Sequence, residues 1–237
     1  MEIAENLKMI TNNVSAALAR RRAEVMGTGH EVKLVAVTKN HDALTVRAAI
    51  DAGVRSIGEN RVQEALSKAE VLERNAEWHL IGHLQTNKVR QAVPQFALIH
   101  SVDSERLAVE IDRAAGKIGK CQDILLQVNP AGEDTKFGLA TAELQIVAEQ
   151  VSALANVRLC GLMTIAPHYD NPEATRIVFK KTYELFMELK AAKLPNTAIE
   201  WLSMGMTNDY TVAVEEGANL IRVGTGIFGL RDYNKEV

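Results

Sequence analysis

The sequence predicts an α/β chain folded as a (β/α)8 TIM barrel with an extra N-terminal helix, in one domain over residues 1–237. Three observations predict it. Short apolar runs without polar alternation recur along the chain, as strands buried on both faces require. Helical patterns closed by glycine separate these runs, so the strands are expected to lie parallel. Eight such units in 237 residues come close to the ~250 typical of a closed barrel. The competing arrangement is an open doubly wound sheet that binds a dinucleotide. It would open its first helix with G-x-G-x-x-G, and no such motif stands there.

The elements follow in order. Ile3, Leu7, Ile10, Val14 and Leu18 recur at helical spacing and predict a helix from Ile3 to Met26. The run Arg20-Arg-Arg22 falls toward its C-terminal end, where cations suit the dipole, and Gly27 and Gly29 stop it. Strand one is expected at Lys33–Thr38, followed by a helix at Asp42–Ala52 that Gly53 closes. Val54–Gly58 is the second strand and Arg61–Arg74 its helix, with Val62, Ala65, Leu66, Ala69 and Leu72 on one face. Trp78–Ile81 is the third, with a helix from Thr86 to Ala92. Ala97–Val102 is the fourth, and Ser104 is placed to cap a helix that runs to Ala115. Asp123–Asn129 is the fifth, with Thr141 as the expected cap of a helix at Ala142–Leu154. Arg158–Ile165 is the sixth, before a long helix from Glu173 to Ala192. Ile199–Ser203, a helix at Asp209–Glu216, and Leu220–Gly224 complete the set.

Composition excludes several classes of function. A formal net charge of -3 leaves no electrostatic footprint for nucleic acid. No apolar run approaches the ~18 residues of a membrane span. The N-terminus lacks the basic segment and apolar core of a signal peptide, which points to the cytoplasm. Cys121 and Cys160 stand in strand-like apolar runs without a C-x-x-C partner, so both thiols are expected to pack in the core. His79 and His83 lack a third ligand, and no metal is expected.

Chemistry in such a barrel belongs at the C-terminal strand ends, with phosphate often held after strands seven and eight. Lys39 closes the first strand. It is either a solvated strand end or, pointing into a cavity, an amine activated by desolvation toward a carbonyl. After strand seven, Ser203-Met-Gly-Met-Thr-Asn-Asp209 offers a tight turn at Gly205, two hydroxyls and a new helix start, which together favour an anion. After strand eight, Arg222-Val-Gly-Thr-Gly226 is a second small-residue turn. Arg222 shares strand parity with Gly224, and its guanidinium is either paired with a core carboxylate or donates to a ligand. Amine, anion cup and donor match the aldehyde, phosphate and pyridine nitrogen of pyridoxal phosphate. A sugar phosphate would use the cup but would bring carboxylates or a metal, and Glu59 is the lone carboxylate candidate at the strand ends.

Six segments in order carry a resemblance. They are Val35-Ala-Val-Thr-Lys39, Ile57-Gly-Glu-Asn60 with Val62-Gln-Glu64, Trp78-His-Leu-Ile-Gly-His-Leu-Gln-Thr-Asn-Lys88, Gly161-Leu-Met-Thr164, Leu202-Ser-Met-Gly-Met206 and Ile221-Arg-Val-Gly-Thr-Gly-Ile-Phe-Gly229. The chain from Ile3 to Gly229 resembles the pyridoxal phosphate homeostasis protein family, single-domain relatives of the alanine racemase barrel. The resemblance implies that Lys39 forms the internal aldimine and that Asn60 lies beside the cofactor ring. It implies that Ser203, Gly224 and Thr225, with backbone near Met204 and Gly205, hold the phosphate, and that Arg222 meets the pyridine nitrogen.

A donor that keeps its proton leaves the ring a weaker electron sink. Racemases of this barrel type add a tyrosine base from a C-terminal β-domain of the partner subunit. This chain stops shortly after Arg222, so no source for that base is expected. The implied role is to bind, buffer and deliver pyridoxal phosphate to apo-enzymes, as a monomer, without catalytic residues. The alternative is a racemase or other lyase that uses Lys39 as its base. His83 is expected to line the site mouth, and Met163 is a further candidate for the site lining. Lys136 either draws the phosphate or a partner, or is a solvated loop lysine. Tyr169 and Tyr210 fall in C-terminal loops, and neither is assigned as a base.

Overall fold

A computed structural model describes residues 3–72, 76–133 and 136–229, so the predicted helix end at Arg74 lies outside the described residues. The strands are β1 Lys33–Val37, β2 Ser56–Glu59, β3 Glu77–Leu80, β4 Leu98–Val102, β5 Gln122–Gln127, β6 Val157–Met163, β7 Thr197–Ser203 and β8 Leu220–Val223. The helices are α1 Ile3–Ala19, α2 Ala43–Asp51, α3 Val62–Leu72, α4 Val89–Gln95, α5 Glu105–Gly116, α6 Leu144–Ser152, α7 Arg176–Ala191, α8 Tyr210–Glu215 and the short α9 Thr225–Phe228. All eight strands pair in sequence order and β8 closes on β1, so the sheet is a closed parallel barrel. The predicted fold class, extra N-terminal helix included, is the observed one.

Side-chain caps start two of the helices, and the structure departs from expectation in three places. The Asp42 side chain accepts from the Thr45 N–H at 2.7 Å and that of Ser104 from Leu107 at 3.3 Å, satisfying donors the first helical turn leaves open. The expected Thr141 cap is not used. The α6 helix starts at Leu144, and the Glu143 carboxylate reaches back to the Ala140 N–H at 3.0 Å. The first helix stops at Ala19, well short of Met26, and Ala23–Thr28 forms a separate 3-10 turn. Arg21 is the cause. Its guanidinium is buried and donates to the carbonyls of Val214, Ala218 and Gly29, which ties the chain to α8 and β8 instead of continuing the helix. Cys160 is buried as expected, whereas Cys121 is exposed just ahead of β5.

Two apolar layers build the barrel. Val35, Leu98, Leu125, Cys160, Met163 and Leu220 form a cluster of their own. Their strand neighbours Ala36, Ile99, Ile124, Leu126, Leu159, Leu162 and Ile221 belong to the main core with the helices. The first set fills the lumen and the second faces the helices, as strand alternation dictates. Phe96, Phe179 and Phe186 are fully buried in the outer layer, each worth about 1.5–3 kcal/mol relative to exposure.

Strand β6 breaks the alternation. Cys160 and Met163 both face the lumen, because the register slips on both neighbours of β6 around Gly161. Gly161 sits at φ +147°, and a Cβ there would lie 1.9 Å from the Trp201 carbonyl oxygen. This is a glycine bulge that resets which side chains reach the site.

Candidate functional site

The residues that end β1 and β2 make one pole of the site. Val37 pairs with Gly58, so Lys39 and Asn60 leave the barrel at the same level. Lys39 is half-buried, and both of its neighbours are clamped. The buried Lys68 ammonium on α3 donates to the Thr38 carbonyl at 2.6 Å, to Glu59 Oε1 at 2.7 Å and to Glu64 Oε1 at 2.7 Å. The Thr38 hydroxyl donates to Glu59 Oε1 at 2.5 Å. On the other side the Asn40 N–H donates to Glu64 Oε1 at 2.5 Å. Asn40 takes φ +62°, a left-handed conformation that asparagine tolerates better than most residues. Burial pushes the Glu59 carboxyl above its ordinary range, and the adjacent Lys68 ammonium opposes that shift. Glu59 Oε2 and Asn60 Oδ1 are buried acceptors without a partner among the described residues.

Arg222 makes the second pole. It stands opposite Val35 in the β1–β8 register and is buried in the lumen, as its parity with Gly224 requires. Its Nη1 donates to the Ser203 hydroxyl at 2.5 Å and its Nη2 to the Thr164 carbonyl at 2.8 Å. Among the described residues no carboxylate pairs with it, so its core ion-pair reading falls. Burial lowers its pKa to about 10, with Asp209 opposing at longer range. The Asp209 carboxylate is itself occupied, accepting from the Met206 N–H at 2.6 Å to close the turn after β7. Gly205 in that turn has φ +89°, and a Cβ on it would meet Ala213 at 2.6 Å.

Between these poles, the N–H groups of Gly224 and Gly226 converge on one oxygen, Thr207 Oγ1, at 3.3 Å each. Converging backbone N–H groups form an anion-binding concavity. Gly224 also packs close to Val37, which brings the turn carrying Thr225 beside the end of β1. The Met204 N–H is taken by the Leu220 carbonyl at 3.1 Å. Ser203 is fully buried, and its hydroxyl, expected at a phosphate, is bonded to Arg222 and to His100 Nδ1 at 2.9 Å.

The remaining sequence candidates scatter. His83 pairs with Asp103 at 3.3 Å and stacks on Phe137 at 4.0 Å between ring centroids, at the mouth. His79 is buried in the lumen with His100, so the two histidines do not converge on a metal. Met163 packs in the apolar lumen layer, and the next residue, Thr164, is the one that touches Arg222. Lys136 pairs with Glu133 at 2.8 Å. The Tyr210 hydroxyl faces α1, where Asn13 donates to it at 2.9 Å, and Tyr169 is partly exposed. Sequence reasoning missed Lys68 and His100. The signal for Lys68 was its place between Ala65 and Leu72 on the buried face of α3, four residues after Glu64.

Residues 7–232 match the family model described as alanine racemase, N-terminal domain. The chain is 41% identical over 235 residues to a pyridoxal phosphate homeostasis protein of Aquifex aeolicus, covering 98% of this chain and 100% of that one. Two structures of PipY from Synechococcus elongatus are 40% identical and cover 96% of this chain and 100% of theirs. The structure without PLP superposes with a TM-score of 0.85 and the one with PLP bound with 0.82.

Proposed function

The chain belongs to the pyridoxal phosphate homeostasis protein family, and from that membership we propose that it binds pyridoxal 5'-phosphate reversibly, buffers it and passes it to apo-enzymes. The observation that carries this reading is the presence, just after β1 and on the adjacent strand β8, of Lys39 between clamped neighbours and of a buried Arg222 that has no carboxylate partner among the described residues. The N–H groups of Gly224 and Gly226 converge beside them, and Asn60 Oδ1 is a buried acceptor awaiting a donor. These groups fit the cofactor's handles. Lys39 would take the aldehyde and Asn60 would lie beside the ring. Arg222 would donate to the pyridine nitrogen. Gly224 and Thr225, with the turn at Gly205, would take the phosphate, while Ser203 serves Arg222. When bound, the cofactor supplies an electrophilic aldehyde for the lysine and an anion for the cup.

The chain's own residues supply attachment and orientation. The Tyr210 hydroxyl, one of the two loop tyrosines, is turned to Asn13 of α1. We read the protein as a monomeric cytoplasmic carrier without turnover.

Added pyridoxal phosphate is expected to give the absorption band of a protein-bound Schiff base that Lys39→Ala abolishes. Incubating the loaded protein with L-amino acids in deuterated water tests turnover. Cα deuteration above that of free cofactor would replace this reading with a racemase or lyase.

A further inference from the structure

A file of hydrogen-bonded side chains runs from the arginine pole through the lumen to the opposite mouth of the barrel. Arg222 Nη1 meets Ser203 Oγ at 2.5 Å, and Ser203 Oγ meets His100 Nδ1 at 2.9 Å. His100 Nε2 meets His79 Nδ1 at 2.8 Å, and His79 Nε2 meets Glu77 Oε1 at 3.0 Å. Glu77 begins β3 at the N-terminal mouth, where Lys33 donates to both of its oxygens at 3.2 and 3.1 Å.

The carboxylate end fixes the direction of the links for neutral rings, the form that burial favours. Glu77 is an acceptor-only carboxylate, so His79 carries its proton on Nε2 and gives it to Glu77. His79 Nδ1 then accepts from His100 Nε2–H, and His100 Nδ1 accepts from the Ser203 hydroxyl, whose oxygen accepts from Arg222. Both rings then share one tautomer. Burial lowers the pKa of each, His100 most strongly, in the same direction. The Glu77 carboxyl is pulled down to about 2, first by the His79 N–H and then by Lys33.

A satisfied polar core would be the plainer account. The lumen beside this file, however, is filled by Val35, Leu98, Leu125, Cys160, Met163 and Leu220, so the barrel has an apolar solution to the same packing problem. Burying four polar side chains costs desolvation that apolar packing avoids. What the file adds is a fixed acceptor for one edge of Arg222.

We propose that His100, backed by His79 and anchored at Glu77, is a positioning residue of the cofactor site: it holds the Ser203 hydroxyl as an acceptor and thereby aims the remaining guanidinium donors at the ring nitrogen. This rests on the role given to Arg222 above, and the test separates the two.

In the protein without cofactor, 15N-histidine NMR should show both rings neutral with the proton on Nε2 across about pH 5 to 8, where an ordinary histidine titrates. An Nδ1–H tautomer or a titrating imidazolium at His100 would overturn the proposal whatever the protein binds. On adding pyridoxal phosphate, the His100 and His79 nitrogen signals should both shift. His100→Phe removes the acceptor for Ser203. It should shift the absorption maximum of the bound chromophore and speed its release up to about tenfold, the worth of one neutral hydrogen bond. His100→Asn, which returns an oxygen acceptor near the Nδ1 position, should restore most of both. A wild-type protein that never binds the cofactor would refute the proposed function and leave the tautomers as the judge of the file. Cofactor binding that leaves the histidine signals unmoved would sink the positioning role alone, as would an unchanged spectrum and release rate in His100→Phe. If His100→Phe does not fold, the wild-type shifts decide.

Discussion

The two poles of the site hold a cation each and do so in opposite ways. The lysine pole is built from buried charge: the Lys68 ammonium lies between the Glu59 and Glu64 carboxylates, and all three grip backbone or hydroxyl groups flanking Lys39. The arginine pole is built from neutral partners: a hydroxyl, a carbonyl and two histidines. The difference follows from what must be kept still. At the lysine pole the backbone on either side of Lys39 is fixed, and strong charge-assisted bonds to it do that. At the arginine pole the guanidinium must keep its charge without a carboxylate that would compete for its donors. Neutral acceptors satisfy one edge and leave the charge for a ligand.

Breaking the charged pole should have the largest effect. Lys68→Met leaves Glu59 buried and unpaired and should destabilise the fold by about 3–5 kcal/mol in urea unfolding. Adding Glu59→Gln should return at least about 1 kcal/mol of that, since the two side chains are coupled. Strict additivity would mean that the pair does not act as a unit. Breaking the neutral pole should cost less. Ser203→Ala removes one acceptor of Arg222 and should cost about 1–3 kcal/mol. A loss as large as that of Lys68→Met would erase the distinction drawn between the poles.

The pH dependence sharpens the contrast, because the two carboxylates shift in opposite directions. The folded pKa of Glu59 lies above the ordinary 4.5, so the folded state binds that proton more tightly than the unfolded chain. Its contribution is full below pH 4.5 and declines as pH rises through the folded value. Comparing wild type with Glu59→Gln should isolate that falling slope. Glu77 behaves oppositely. Its contribution is present above pH 4.5 and is lost as pH falls toward about 2, so wild type should lose its advantage over Glu77→Gln on acidification. Chemical denaturation across pH measures both, and slopes of the same sign would contradict the assignment. The smallest effect belongs to Lys33→Met, at the partly exposed end of the file, within about 1 kcal/mol.

Much of this was legible in the sequence for identifiable reasons. Strands apolar on both faces and glycine-closed helices specify a helix-covered parallel barrel, and that barrel is present. The residues at the ends of β1, β7 and β8 were readable because small residues and a strand-end lysine or arginine mark where the barrel opens. Partnerships between distant residues were not readable. Arg21 looks like a solvated helix-end cation and is instead bonded to carbonyls near β8, far along the chain. His100 reads as one of two polar residues in an otherwise apolar strand until β7 brings Ser203 across the lumen. Nor does strand parity survive β6, where the Gly161 bulge puts Cys160 and Met163 on the same side. Lys68 was hidden because helical periodicity sorts residues by polarity, and a buried ion pair puts a charge where an apolar residue is expected.

We propose Lys39, whose neighbours on both sides are gripped by the charged pole, as the covalent anchor for pyridoxal phosphate. Borohydride reduction of the loaded protein, followed by mass mapping of its peptides, tests this most directly. A single pyridoxyl adduct on Lys39 is expected, diminished by Lys68→Met in any folded fraction. An adduct on Lys68, Lys136 or another lysine in place of Lys39, or no adduct at saturating cofactor, would contradict it.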